Sequence, residues 1–210
     1  MIKDKNTNLK PTFKKNIFVF QPTAFSDKSY EGLVPDKNIF ETYDEKTIAE
    51  IMKESKDLIK GSEAVKGSKK FPVLMIFDDA ILEMDNNRKG LMSLLFTKGR
   101  HYNISVILTS QQAKLAIPTW RLNASHNILL PQKLNPMELD AVSELTPLDK
   151  KKFMAIIEDI RDSEPYTFLV IDMTTPDINK MFLKNGTKFY KIRDNPHMAG
   201  IDSDPDTDTD

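Results

Sequence analysis

The feature that most constrains this chain is the run Val73–Phe77, VLMIF, which stops abruptly at Asp78-Asp79. Five consecutive apolar residues leave no face for solvent. Such a run suits a central strand of a parallel sheet, covered on both faces. Ile17–Phe20 (IFVF), closed off by Pro22, and Ile104–Leu108 (ISVIL) repeat the pattern and predict two more buried strands. Shorter strands are expected at Ile39–Thr42, His126–Leu130, Tyr166–Ile171 and Phe189–Ile192. Ile48, Ile51, Met52, Leu58 and Ile59 recur at helical spacing, which predicts a one-sided helix from Thr47 to Lys60. Leu91, Leu94 and Leu95 mark another, ending near Gly99. Asn135-Pro136 with Glu138 is a helix start: a cap, a proline in the first turn and an acid three residues on. Thr146-Pro147 with Asp149 repeats it for a helix reaching Arg161. Strands alternating with helices predict an α/β fold, a mostly parallel sheet flanked by helices.

Composition excludes several classes of function. The 210 residues contain no cysteine, so a disulfide framework, a thiol nucleophile and a Cys-ligated metal are ruled out. His101, His126 and His197 are far apart, and no His-x-x-x-His pair supports a zinc-protease site. None of the seven glycines is followed by lysine, so no phosphate-cradling G-x-x-x-x-G-K-[ST] loop is present, nor is G-x-G-x-x-G. A membrane-spanning helix needs about 20 apolar residues, and the apolar runs here are far shorter.

Charge divides the chain. Residues 1–15 form a basic segment with five lysines against one aspartate. A core is expected over 16–193, interrupted by the soluble linker Gly61–Lys70. The tail, 194–210, is acidic: its last nine residues carry five aspartates and no hydrophobe, and are expected to be disordered. Without those five charges the formal net charge of -1 becomes +4, so the body is mildly basic. The lysines at 10–15, 66–70 and 150–152 suit solvated faces, or contacts to nucleic-acid phosphates.

Three segments could carry chemistry. Asp78 and Asp79 stand at the C-terminal end of an apolar strand, the edge where open parallel sheets bind ligands. One carboxylate there can hold Mg²⁺ through its water shell, and its neighbour can orient or deprotonate an attacking water. The same pair would serve equally to cap the following turn. In GRHYNISVILTSQ, residues 99–111, a basic turn precedes a strand that ends in Ser110-Gln111. Gln111 at that tip can position a water or sense a γ-phosphate, although taken alone the segment reads more readily as a solvated strand end. In PTWRLNASHNI, residues 118–128, Arg121 follows Trp120 and could read phosphate or simply pack on the indole. A nuclease using Asp78 and Asp79 has less support, because adjacent strand residues point to opposite faces.

Taken in order, IFVFQPTAFSDKSY, VLMIFDD, KGRHYNISVILTSQQ and IPTWRLNASHNILL resemble the poxvirus-type DNA-packaging ATPases. These belong to the FtsK/HerA class of P-loop ATPases of large DNA viruses. The resemblance runs over residues 16–192 and is carried most specifically by GRHYNISVILTSQ. It implies that Asp78 is the Walker B aspartate holding Mg²⁺ and that Asp79 is the adjacent acid polarising the water. It implies Gln111 as the sensor, and Arg100 or Arg121 as an arginine finger reaching a neighbour's γ-phosphate. ATP and Mg²⁺ are the implied cofactors. Double-stranded DNA, a homo-oligomeric ring and capsid proteins are the implied partners, with no membrane, at the host cytoplasmic assembly site or in the virion.

The family's Walker A loop, and the strand that carries it, precede the IFVF-like strand. Only sixteen residues precede Ile17 here, and a strand, loop and helix need about 25–30. A truncated chain, one half of a split gene, or a decayed paralogue would each account for this. The alternative function is a non-catalytic interaction module on the same fold.

Overall fold

The structure is a computed structural model, described for residues 12–13, 16–24, 26–63, 72–81, 84 and 90–190. The lysines of the first two basic clusters, most of the 1–15 segment, the linker beyond residue 63 and the acidic tail lie outside the described residues. The chain divides into two compact units: residues 1–111 with 115–120, and 112–114 with 121–210.

The first unit is a four-stranded parallel sheet in the order β2-β1-β3-β4. Its strands are β1 (Ile17–Phe20), β2 (Ile39–Phe40), β3 (Val73–Phe77) and β4 (Ile104–Leu108). As the apolar run predicts, β3 is interior, and all five of its residues are buried. The register is continuous: Phe20 pairs with Phe77, and Phe77 with Leu108. Alternation then sorts the side chains onto two faces. Ile17, Val19, Leu74 and Ile76 join Phe13 and Val34 on one face, with Ile107 packed against them. Phe20, Val73, Met75 and Phe77 join the helices on the other.

Helix α1 (Glu45–Glu63) begins two residues before the expected start. Asp44 sets that start by accepting the backbone N–H groups of Lys46 and Thr47, both at 3.1 Å. The Thr47 hydroxyl, bonded to the same carboxylate, is the main reason that the Asp44 carboxyl lies below its ordinary range. Ile48, Ile51 and Met52 turn to the sheet. Leu58, expected on that face, is exposed. Helix α2 (Leu91–Lys98) buries Met92 and Leu95. Trp120, in α3 (Pro118–Asn123), stacks on Phe96 at 5.7 Å and donates its indole N–H to Ser93 Oγ at 3.0 Å.

One expectation needs correction. Strand β4 is not buried like β3: only Ile104 is fully buried, Ser105 is exposed, and the last three residues are half-buried. Among the described residues β4 pairs with β3 alone, so its second edge lacks a ladder partner.

The second unit carries an antiparallel sheet in the order β5-β6-β7-β8. Its strands are His126–Leu129, Leu169–Asp172, Phe182–Lys184 and Lys188–Phe189. The short helix between β6 and β7, Ile178–Met181, is too brief for the dozen or so residues of a parallel crossover. Helices α4 (Pro136–Ser143) and α5 (Lys150–Arg161) contribute Leu139, Val142, Phe153, Ile156 and Ile160 to the core over Leu169, Ile171 and Phe182. Asn135 caps α4 as predicted, accepting Glu138 N–H at 2.9 Å. The cap of α5 is Asp149, accepting Lys152 N–H at 2.9 Å, and not Thr146. The carboxylate stands immediately before the helix, whereas Thr146-Pro147 remains in the preceding turn.

Met75, fully buried in the middle of β3, tests the interior placement of this strand. Met75→Ala is expected to cost about 2–5 kcal/mol in denaturant unfolding, the range for emptying a well-packed core position.

Candidate functional site

Three parallel strands in continuous register end at one edge of the sheet. The ladder carries past each tip: Asp78 N–H donates to Phe20 O, and Thr109 N–H donates to Phe77 O, both at 2.9 Å. Asp78 therefore stands beside Thr109. Both continue the alternation of Ile76 and Ile107, so they share one face.

Asp78 accepts two hydroxyls. Thr109 Oγ1 donates to its Oδ1 at 2.6 Å, and Tyr30 Oη donates to its Oδ2 at 2.9 Å. Asp79 leaves the strand with φ at 53°, in the left-handed region that aspartate tolerates better than most residues. That turn aims its N–H at Thr109 Oγ1, at 3.1 Å, and leaves its carboxylate exposed. Gln111 Nε2 donates to Asp79 Oδ2 at 3.0 Å. Thr109 thus joins the two acids, accepting from one residue's backbone and donating to the other's side chain.

Burial of the Tyr30 ring, reinforced by its bond to the Asp78 carboxylate, pushes the phenol well above its ordinary value of 10.0. The hydroxyl stays a proton donor throughout the neutral range. Nearby Asp27 lies below its ordinary 3.8, first because of the Ser29 hydroxyl and then the Gln21 amide. A cavity of about 220 Å³ adjoins Tyr30. Asp27, Glu31 and Asp36 outnumber Lys28 in its lining, which is the wrong charge for a phosphate chain.

Of the residues singled out from sequence, Asp78, Asp79 and Gln111 come together. Arg100 lies in the turn Gly99–Tyr102, just before β4, and so at the opposite end of the strand from Gln111. Its side chain is exposed. Arg121 is 9% exposed, and its guanidinium donates to Ala113 O at 3.0 Å within the second unit. Sequence reasoning did not assign Tyr30 and Thr109 to the site. Thr109 was within reach of a register argument, being one step beyond a strand expected beside β3. Tyr30 has no such local signal, since it comes from a loop far earlier in the chain.

Among the described residues no group of three or more acidic or histidine side chains converges to cage a metal. The half-exposed Asp78 carboxylate, with one hydroxyl donor on each oxygen, is chemically suited to a magnesium-type ion, which keeps most of its waters and takes one or two carboxylates. Among the described residues no helix is long and apolar enough to cross a membrane.

The helix-flanked parallel sheet thus presents Asp78 and Asp79 at one strand tip and Gln111 just beyond the next. The fold resembles viral genome-packaging enzymes. The genome packaging NTPase B204 of Sulfolobus turreted icosahedral virus 2, in complex with AMP, aligns with a TM-score of 0.58 at 14% identity. That alignment covers 83% of this chain and 84% of that one. B204, the DNA-packaging ATPase of Sulfolobus turreted icosahedral virus, aligns with a TM-score of 0.57 at 16% identity over the same shares. The AMPPCP complex of the first enzyme gives a TM-score of 0.50 at 16% identity, over 70% of this chain and 63% of that one. No curated protein matches the chain in sequence. The family profile described as "Poxvirus A32 protein" matches residues 6–180, and the chain belongs to that family.

Thr109 links both acids, so its hydroxyl is the part of the site most directly testable through stability. Thr109→Val is expected to lower unfolding stability by about 1–2 kcal/mol, the net worth of the two hydrogen bonds it removes. Thr109→Ser is expected to restore it, with urea unfolding as the measurement.

Proposed function

We propose that this chain is a subunit of a viral genome-packaging motor, in which ATP hydrolysis drives double-stranded DNA into the capsid. The observation that carries this reading is the convergence of Asp78, Asp79, Thr109 and Gln111 on one strand edge, in a member of the A32 family. The solved nucleotide complexes of a similarly folded packaging NTPase support ATP as the ligand.

Each residue has a role that follows from its chemistry. Asp78, oriented by two hydroxyls, would hold a Mg²⁺ ion. Such an ion would supply charge neutralisation for phosphoryl transfer. Asp79 is exposed and turned out of the strand, free to orient an attacking water and accept its proton. Gln111, already bonded to Asp79, fixes that carboxylate and reports on the terminal phosphate. Arg100 is exposed and suits a finger directed at a neighbouring subunit better than Arg121, whose guanidinium is turned inward.

The sequence holds no glycine-lysine phosphate loop. A ring of subunits and contact with a capsid fit such a motor. The mildly basic body suits non-specific, salt-sensitive contact with DNA phosphates. Virion assembly in the host cytoplasm is the setting this implies.

The test is ATP hydrolysis by the assembled packaging complex, with and without duplex DNA. Asp79→Asn is expected to lower DNA-stimulated turnover by about 10²-fold or more, as for loss of a general base. An unchanged rate in that variant would remove Asp79 from the chemistry. Absence of both turnover and nucleotide binding would leave the chain as a non-catalytic module of the complex.

A further inference from the structure

We infer that Tyr30 is a positioning residue whose hydroxyl fixes the orientation of the Asp78 carboxylate for a divalent cation. The inference rests on the role proposed for Asp78 and adds a residue to that site.

Tyr30 reaches Asp78 across 48 residues of sequence. The loop that carries it is tied down at several points. Gln21, at the end of β1 and only 3% exposed, donates its side-chain amide to Asp27 Oδ2 at 2.9 Å. Asp27 Oδ1 accepts Ser29 N–H at 3.0 Å and the Ser29 hydroxyl at 2.5 Å. The Tyr30 carbonyl accepts the N–H groups of Leu33 at 3.0 Å and Val34 at 3.2 Å. The Tyr30 ring packs on the apolar face formed by Ile17, Val19, Leu74 and Ile76.

A phenylalanine would serve that packing equally well. The hydroxyl goes to Asp78 instead, and it meets the oxygen that Thr109 does not. One donor on each oxygen, from separate elements, defines the plane of the carboxylate. Each oxygen has room for two hydrogen bonds and takes one of these donors, which leaves a lone pair for a metal-bound water. Partners that orient a metal-binding side chain in this way are worth about 10–100-fold in metal affinity.

The experiment measures Mn²⁺ retention with a non-hydrolysable ATP analogue, read as free Mn²⁺ by electron paramagnetic resonance against the analogue without protein. It compares the wild-type packaging complex with Tyr30→Phe, Asp78→Asn and the double variant, with thermal unfolding recorded for each. Asp78→Asn is expected to weaken the site more than Tyr30→Phe does, to a residual affinity that is still measurable. Tyr30→Phe is expected to weaken it about tenfold or more at unchanged Tm. In the Asp78→Asn background, removing the Tyr30 hydroxyl is expected to change nothing further. Wild-type affinity in Tyr30→Phe, or a further loss in the double variant, would overturn the inference while leaving Asp78 in its role. A wild-type complex with no Mn²⁺ site at all would overturn the proposed function, and this inference with it.

Discussion

The site depends on the parallel backbone ladder that joins β1, β3 and β4. Its hydrogen bonds fix register, and register decides which side chains stand together at the tips. A slip of one residue between β3 and β4 would turn Thr109 to the opposite face from Asp78. The two clusters that sandwich the sheet hold that register: Leu74, Ile76 and Ile107 pack on one side, and Met75, Phe77 and Leu108 on the other. Any slip would exchange the two sets. The hydrophobic alternation that closes the core is thus the same alternation that builds the polar edge.

The edge works by separating two acids that sequence places side by side. Asp78 stays in the pleat and is held by Tyr30 and Thr109. Asp79 turns through the left-handed region and leaves the strand, exposed and in reach of Gln111. One carboxylate is immobilised and the other remains accessible. A site that positions a cation with one group and a water with another needs that difference. The Tyr30 loop gives the first acid a partner that local sequence could not supply.

Much of this was legible in the chain itself. VLMIF, IFVF and the GRHYNISVILTSQ segment marked β3, β1 and β4, and the strand-end rule marked Asp78, Asp79 and Gln111. Asn135 was recognisable as a cap because its partner is three residues away. Less legible was whatever depends on tertiary placement. The apolar run ISVIL suggested burial, yet β4 is paired on one edge only, and its later residues are half-exposed. The strands after residue 125 could be located, but their antiparallel pairing is set by short connections and by packing under α4 and α5. Tyr30 belongs to the site only because its loop folds back over the sheet. Arg100 and Arg121 each sit in a basic segment, but the fold gives one an exposed turn and the other a backbone carbonyl partner.

The account makes the strand tips, and no other part of the first unit, the place where a metal–nucleotide complex meets this chain. Amide NMR chemical shifts of the labelled chain within the packaging complex, recorded during titration with Mg²⁺ and a non-hydrolysable ATP analogue, address that directly. The account predicts saturable shifts at Asp78, Asp79, Thr109 and Gln111, with Tyr30 moving in step. Shifts confined to the cavity beside Asp27 and Asp36, or to the Arg100 end of β4 with the tips unmoved, would contradict it.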